Sequence, residues 1–309
     1  MTSEDFPFST GSEVNLSLSD GRHLTFTILK PFEPFEKGVA LLARCHCDTF
    51  SPSTTTVILK IFDPRFRHER LEYSYCPDWV LEVEDAALDD CEPLRWGDSG
   101  HCGVPKELWE MESDEEDGDE KRAPMDAHAV ARLGTRWEKH LQDKSNLSFE
   151  SELRAYRCLK ELQGTSIPRL LGVGRYIPSM TERRLKPHVL VLEYIDGTIA
   201  RYAPPEAFTP PIVAQLYHAL ERINELGVVH SDLHWGNFII TPSRGVVIDF
   251  GEAVLKEKWD ESEEEWEECV RCCCEPVAVT ALVKGKRVEW SEEFGMPEYK
   301  LQPVRTSVT

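Results

Sequence analysis

The segment HSDLHWGNF at residues 230–238 is the strongest indication of the fold and function of this chain. It follows a run with helical periodicity, PPIVAQLYHALERINELG, and precedes the apolar residues of FII. Polar side chains concentrated between two apolar elements are typical of a loop that a rigid scaffold presents to a ligand. This loop supplies three candidate functional residues, Asp232, His234 and Asn237.

The remaining chain predicts strands and helices in a mixed order. Three strands are predicted at about 23–30, 38–45 and 54–63, where apolar and β-branched residues predominate. A helix follows in SFESELRAYRCLKELQG, which Ser148 would cap and Gly164 would end. The runs IPRLLGVGRYI and HVLVLEYIDG predict two further strands. After the polar loop, FII and VVIDF predict a short strand pair that is joined by the turn TPSRG and ends at Asp249.

The net charge of −20 is concentrated in two acidic tracts. Residues 82–120 contain 16 acidic and 2 basic residues, and residues 257–268 contain 8 acidic and 1 basic residue. We expect these tracts to be solvated, partly disordered surface, with a docking or regulatory segment as the alternative. Because no basic stripe is visible elsewhere, no nucleic-acid partner is expected.

The sequence also predicts where the protein resides. It has no run of about 18 apolar residues, so neither a transmembrane helix nor a membrane partner is expected. The start, MTSEDFPFSTGSEV, lacks the apolar region of a signal peptide. We therefore expect an intracellular protein, cytoplasmic or nuclear, with reduced cysteines.

Five residues on separate predicted elements suit phosphoryl transfer. Lys60 lies in the strand VILKIF, Glu152 in the helix, Asp232 and Asn237 in the loop, and Asp249 at a strand end. Phosphoryl transfer needs positioned phosphates, metal ions that neutralise charge and a group that orients the attacking hydroxyl. A lysine fixed by a glutamate can hold phosphate oxygens, and aspartate and asparagine oxygens suit Mg²⁺. Asp232, which lies five residues before Asn237, can accept the proton of the attacking hydroxyl.

On these residues the chain resembles the protein-kinase-like superfamily. HSDLHWGN resembles the catalytic loop, DFG at 249–251 matches a kinase motif, VILK resembles the lysine strand, and LEYIDG resembles the hinge that binds adenine. The pattern HxDLHxxN is most similar to the atypical branch, which includes aminoglycoside and choline phosphotransferases, lipopolysaccharide kinases and RIO kinases. The helix SELRAYxxLKELQG is similar to a fungal-type group of protein-kinase-like chains.

The resemblance implies a two-lobed, α+β protein-kinase-like fold. Residues 1–21 would form an N-terminal tail. Residues 22–194 would form an N-lobe with a five-stranded antiparallel sheet, one helix and an acidic, partly disordered insert at about 64–146. Residues 195–309 would form a reduced helical C-lobe.

The resemblance also implies roles for the site residues. Asp232 would be the catalytic base, and Asn237 and Asp249 would hold Mg²⁺. Lys60 would contact the α- and β-phosphates of ATP and pair with Glu152, with Glu150 as the rival candidate for this pairing. Backbone groups would bind adenine near Glu193, Tyr194 and Ile195. ATP and Mg²⁺ are therefore the expected cofactors.

Several residues depart from the protein-kinase pattern. The turn KPFEPFEKG contains one glycine, Gly38, where many kinases have three, and Glu33 and Glu36 add negative charge near the expected phosphates. Ser231 replaces the arginine that would pair with an activation-loop phosphate. His234 replaces a lysine near the transferred phosphate, or it is a structural loop histidine.

The expected activity is transfer of the ATP γ-phosphate to a hydroxyl group, with a protein serine or threonine as the expected acceptor. Two alternatives stay open. A small-molecule kinase is indicated by His234 and by the 58 residues that follow Gly251, fewer than a full peptide-docking region needs. A pseudokinase that acts as a binding or scaffold module is indicated by the turn around Gly38 and by the acidic tracts.

Overall fold

The computed structural model of the chain describes residues 7–46, 55–72, 76–90, 127–258, 262–273, 275–276 and 279. The acidic centre of the insert, MESDEEDGDEKRAP, lies outside these residues. The chain divides into two compact units. The first comprises Met1–Glu150 and Leu170–Tyr194, and the second comprises Ser151–Arg169 and Ile195–Thr309.

The sheet of the first unit is a closed barrel of six strands rather than the predicted five-stranded sheet. Its order is β1-β2-β3-β4-β6-β5, and β5 pairs with β1 to close it. All neighbouring strands are antiparallel. The strands are β1 Glu13–Leu18, β2 His23–Pro31, β3 Val39–Cys45, β4 Thr56–Phe62, β5 Leu170–Ile177 and β6 His188–Glu193.

The strand that the sequence prediction missed is β1, which lies in the segment expected to be an N-terminal tail. Its sequence, EVNLSL, buries alternate residues, and Val14, Leu16 and Leu18 point into the core. Three apolar side chains give only a weak period-two signal. Pairing with both β2 and β5 stabilises this short strand, and these partners are distant in the sequence.

The interior of the barrel is filled by alternate apolar side chains. In β4 these are Val57, Leu59 and Ile61, all fully buried in the core cluster. Gly38, next to the start of β3, lies close to this strand, because a Cβ atom there would be 2.9 Å from the carbonyl oxygen of Ile61. The glycine therefore permits the backbones of β3 and β4 to approach.

Part of the predicted insert forms ordered structure on the first unit. The chain after β4 contains the short helix α1, Glu69–Glu72, and the helix α2, Leu81–Asp89. Arg183 is fully buried and donates two hydrogen bonds each to Asp63 and Glu84, at 2.7–2.9 Å. Burial would raise the pKa of Asp63, but Arg183 and Arg65 hold it below its usual range.

The long helix α3, Ala127–Cys158, begins earlier than the sequence predicted. Ser148 does not cap it but lies inside it, where its hydroxyl accepts a hydrogen bond from the buried guanidinium of Arg67 at 3.4 Å. The buried stripe of this helix also includes Trp137 and Leu141, which lie within the predicted insert. A serine caps a helix only where the preceding backbone leaves the helical conformation.

The described residues of the second unit form the end of α3, a three-stranded sheet, a two-stranded ladder and the helices α4 and α5. The helix α4, Pro210–Glu225, begins at Pro210 as predicted, because its first N–H groups need no helical partner. The other elements are β7 Thr198–Ile199, β8 Val228–Val229, β9 Phe238–Ile240, β10 Gly245–Val247, β11 Val254–Leu255 and α5 Glu263–Cys273. In the part of the chain that the structure describes, no helix is long and apolar enough to cross a membrane.

Candidate active site

Two strand ladders of the second unit hold the two predicted site loops side by side. The strand β8 pairs with β11, and β9 pairs with β10. Residues 230–237 connect β8 to β9, and residues 248–253 connect β10 to β11. Both loops therefore start and end at the same two ladders, so their side chains meet although they are distant in the sequence.

His230 joins the two loops and was not among the predicted site residues. Its ring is fully buried, and Nε2 donates to the carbonyl oxygen of Ile248 at 2.9 Å. The Nδ1 atom accepts the N–H of Asp232 at 3.4 Å, which requires a neutral imidazole. Burial lowers the pKa of His230, which favours the same neutral form. The ring also packs 4.9 Å from the ring of Phe250.

The carboxylate of Asp232 lies beside His234. The side chain of Asp232 is 33% exposed, and its Oδ2 atom is 3.9 Å from Nε2 of His234. The other ring nitrogen, Nδ1, accepts the N–H of Gly236 at 2.9 Å and caps the short 3-10 helix Trp235–Asn237. His234 therefore has a structural role through Nδ1, while Nε2 faces the candidate base.

Asn237 is the buried connection between the loops. Its side-chain nitrogen donates to the carbonyl oxygen of Asp232 at 2.8 Å, and its own carbonyl oxygen accepts the N–H of Ile248 at 2.9 Å. Because the side-chain nitrogen is a donor to Asp232, the amide oxygen is the atom of this side chain that can coordinate a cation. The next residue after Ile248 is Asp249, the second predicted ligand.

The backbone is strained at two positions in these loops. Among the described residues, Ser231 and Asp249 are the non-glycine residues with positive φ, at 64° and 69°. The Oδ1 atom of Asp249 accepts the N–H of Gly251 at 3.3 Å. Residues held in this region of φ/ψ cluster at functional sites, because the surrounding structure must over-determine them.

The donor chemistry of these loops fits a hard divalent cation. The carboxylate of Asp249 and the amide oxygen of Asn237 are both oxygen ligands, which Mg²⁺ prefers over nitrogen or sulfur. Asp232 adds a second carboxylate that is partly exposed. The residue types present would therefore suit a magnesium ion bound to phosphate, and their roles as ligands remain predictions.

The first unit carries the other predicted phosphate and adenine contacts. Lys60 lies on β4 with 8% exposure, and its Nζ atom is 5.6 Å from the ring centroid of Phe62. Its Cα partners are Ala40 on β3 and Leu190 on β6, so its strand lies in the middle of three. A lysine at this place is positioned by the sheet on both sides.

The predicted adenine segment follows the same barrel. Glu193 is the last residue of β6 and pairs with Val57, and Tyr194 ends the first unit. Both are half-buried. Ile195 is the first residue of this segment in the second unit and is buried. Their roles in binding adenine remain predictions.

Burial separates the two candidate glutamates of the helix α3. Glu152 is fully buried, and Glu150 is exposed. A buried carboxylate needs a cation or hydrogen-bond donors, whereas an exposed one is solvated by water. The predicted pairing with Lys60 is therefore better suited to Glu152 than to Glu150, and the pairing itself remains a prediction.

Comparison with known families identifies the segment that holds the loops. Residues 126–265 match the model of the ABC1 atypical kinase-like domain. This match confirms the resemblance to the atypical branch of the protein-kinase-like superfamily. It includes Asp232, Asn237 and Asp249, whereas Lys60 precedes it. The comparison with curated proteins gave no match.

Proposed function

We propose that the chain transfers the γ-phosphate of ATP to a hydroxyl group, because residues 126–265 match the model of the ABC1 atypical kinase-like domain. The observation that carries this proposal is that the loops 230–237 and 248–253, which contain Asp232, Asn237 and Asp249, are joined by the same two strand ladders and by the bond of His230 to Ile248. Two aspartates and an asparagine on facing loops match the needs of phosphoryl transfer, which are a proton acceptor and oxygen ligands for a metal. We further propose that the two compact units are the two lobes of a kinase-like fold.

Each residue has a defined part in the proposed reaction. The carboxylate of Asp232 accepts the proton of the attacking hydroxyl. The neutral ring of His230 joins the N–H of Asp232 to the carbonyl oxygen of Ile248 in the other loop. Asn237 and Asp249 hold Mg²⁺ through oxygen atoms. When bound, Mg²⁺ neutralises charge on the phosphates. In the proposal Lys60, fixed by Glu152, binds the α- and β-phosphates.

A protein serine or threonine is the proposed acceptor, and a small-molecule hydroxyl is the second candidate. The second candidate is supported by the imidazole of His234, whose Nε2 atom faces Asp232 at 3.9 Å. A single neutral hydrogen-bond donor there suits a polar small molecule, whereas a lysine would add a full charge. An acceptor panel must therefore include both classes.

A pseudokinase is the candidate from a different functional class. Its support is the turn between β2 and β3, in which Gly38 is explained by packing against Ile61 rather than by phosphate binding. The same turn is attached to its own unit, because the N–H of His68 donates to the carbonyl oxygen of Glu36 at 2.8 Å. In that case ATP binds, or a partner binds, without turnover.

The test is γ-phosphate transfer from radiolabelled ATP with Mg²⁺ by the full chain. The acceptors are a mixture of Ser/Thr-containing proteins in one arm and small alcohols and amino-alcohols in the other. We expect transfer by the wild type, and a decrease of about 10²- to 10⁴-fold for Asp232→Asn. Glu206→Gln, an exposed neutralisation in the same unit, is the control and keeps wild-type activity.

The same samples distinguish the pseudokinase. Saturating Mg-ATP at 100 times its dissociation constant would stabilise the protein by about 2.7 kcal/mol in a thermal melt. A stabilised protein that transfers no phosphate to either arm would replace the phosphotransferase with the pseudokinase. Equal transfer by the wild type and Asp232→Asn would remove Asp232 from the mechanism.

A further inference from the structure

A buried carboxylate outside the matched kinase-like segment contacts the loop that carries Asp232. Glu275 is 3% exposed and lies beyond residue 265, where the family match ends. Its Oε1 atom accepts the main-chain N–H of Ser231 at 2.8 Å. Its Oε2 atom accepts a hydrogen bond from the side-chain nitrogen of Asn224, on helix α4, also at 2.8 Å. Each oxygen of the carboxylate therefore has its own donor.

The residue that Glu275 contacts is one of the two strained positions of the site. Ser231 has φ of 64°, a conformation that costs energy for a residue with a Cβ atom. The strained backbone is stable only if its neighbours hold it. A hydrogen bond from a backbone N–H to an ionised carboxylate is stronger than one between neutral groups, so Glu275 can supply this restraint.

The donor Asn224 is itself fixed by the end of its helix. Its side-chain nitrogen also donates to the carbonyl oxygen of Val228 at 3.0 Å, in the strand β8 that leads into the loop. A chain of contacts therefore runs from α4 through Asn224 and Glu275 to Ser231. The N–H of the next residue, Asp232, is bonded to His230. The carboxylate of Asp232 projects from a backbone that is held on both sides.

We propose that Glu275 is a positioning residue that sets the backbone at Ser231 and, through it, the direction of the Asp232 carboxylate. The proposal rests on the proposed phosphotransferase activity only for the role of Asp232, because the contact itself does not depend on turnover. It also means that Glu275 contributes to the site although it lies outside the family match.

The alternative is that Glu275 has a purely structural role and only links its own part of the chain to Asn224 and Ser231. In that case its loss lowers global stability without changing the local behaviour of Ser231. The two roles predict different results for amide exchange at Ser231, for the ratio of kcat to KM, and for a compensating glycine. The experiment below measures all three.

The variants are Glu275→Gln, Glu275→Ala and the control Glu264→Gln, which neutralises an exposed position on α5. A glutamine has one acceptor oxygen, but the site presents two donors, so one contact of Glu275 is lost without a change of shape. We expect kcat to decrease by about tenfold to a hundredfold in Glu275→Gln, with KM for ATP unchanged within about twofold. The control keeps both constants.

Hydrogen–deuterium exchange of the Ser231 amide, read by NMR on the full chain without nucleotide, gives a measurement that needs no activity. We expect its rate to rise by about tenfold or more in Glu275→Gln, relative to core amides of β9 and β10 in the same sample. The comparison with core amides separates a local effect from a loss of global stability. Glu264→Gln leaves the rate unchanged.

A second-site variant tests the strain directly. Glycine adopts positive φ without a steric penalty, so Ser231→Gly in the Glu275→Ala background should recover at least part of the lost kcat. A merely structural Glu275 predicts no recovery. If Glu275→Gln keeps both the wild-type kcat and the wild-type exchange rate of the Ser231 amide, the positioning role is overturned. If the wild type transfers no phosphate but the exchange rises as expected, the proposed function fails while the contact stands.

Discussion

The side-chain nitrogen of Asn237 donates a 2.8 Å hydrogen bond to the main-chain carbonyl oxygen of Asp232. This bond orients the amide oxygen of Asn237 away from the Asp232 backbone, where it is free of that contact and can serve as a ligand. Asn237 is 5% exposed, and its main-chain carbonyl oxygen accepts the N–H of Ile248, the residue that precedes Asp249. One asparagine thus connects the proposed base to the proposed metal ligand.

Asn237→Ala removes both the proposed ligand and the bond to the Asp232 carbonyl. We expect kcat to fall by about 100-fold or more and the Mg²⁺ concentration for half-maximal rate to rise. The measurement is a Mg²⁺ titration of phosphate transfer. Asn146→Ala, at an exposed position of α3, is the control. A variant that keeps the wild-type Mg²⁺ dependence would exclude Asn237 as a ligand.

The two helix glutamates provide a matched pair of substitutions. Glu152 is fully buried and Glu150 is exposed, two residues away on the same helix. If Glu152 fixes Lys60, then Glu152→Gln weakens Mg-ATP binding by about tenfold, whereas Glu150→Gln has no effect. Calorimetric titration with Mg-ATP measures both. The opposite order of effects would assign the pairing to Glu150.

Arg183 is predicted to be essential for the stability of the first unit. Arg183→Met leaves the carboxylates of Asp63 and Glu84 buried without their shared cation, so we expect a loss of about 3–5 kcal/mol in the free energy of unfolding. Arg184→Met is the control, since its ion pair with Asp89 is exposed to solvent and should contribute little to stability.

Urea unfolding of these variants at pH 7 gives the comparison. Asp63 keeps its ion pair with Arg65, so Glu84 is the carboxylate left without a cation. Adding Glu84→Gln to Arg183→Met removes that charge and should recover part of the lost stability. Similar losses in Arg183→Met and Arg184→Met would show that the buried network does not stabilise the protein.

The buried ring of His140 should make the protein less stable in acid. Burial lowers the pKa of His140 from 6.5 to about 4. Between these values the unfolded chain binds a proton that the folded chain does not, so stability is lost as the pH falls from about 6.5 to about 4. In His140→Leu the decrease in unfolding free energy between pH 7 and pH 5 should be smaller by about 1–2 kcal/mol.

The control for this substitution is Asn146→Leu, which places the same side chain at an exposed position of the same helix. It adds no change in titration and should keep the wild-type pH dependence. Urea unfolding at pH 5, 6 and 7 measures both variants. A His140→Leu slope equal to that of the wild type would contradict a depressed pKa at this site.

The sequence predicted those elements whose signal is local. The strands β2 to β6 lie where apolar and β-branched runs placed them, and α4 begins at the two prolines. The strand β1 was missed because its partners, rather than its composition, stabilise it. The start of α3 was misplaced because Ser148 looks like a cap in sequence, while packing against Arg67 keeps it inside a continuous helix.

The same distinction between local sequence signals and contacts with distant residues applies to the site. Asp232, Asn237 and Asp249 were predicted because the chemistry of phosphoryl transfer demands those residue types at those places. Glu275 gave no such signal, since it is one carboxylate in an acidic region and its contact with Ser231 spans 44 residues. The predicted part of Gly38 in phosphate binding remains a prediction, although the nearby carbonyl of Ile61 gives a packing reason for the absence of a side chain there.

The most direct test of the central claim is calorimetric titration of the full chain with ATP, in Mg²⁺ and in EDTA, for the wild type and Asp249→Asn. We expect the wild type to bind ATP at least about tenfold more tightly in Mg²⁺ than in EDTA, and we expect Asp249→Asn to lose this difference. Equal affinities with and without Mg²⁺ in the wild type, or an unchanged Mg²⁺ effect in Asp249→Asn, would contradict the central claim.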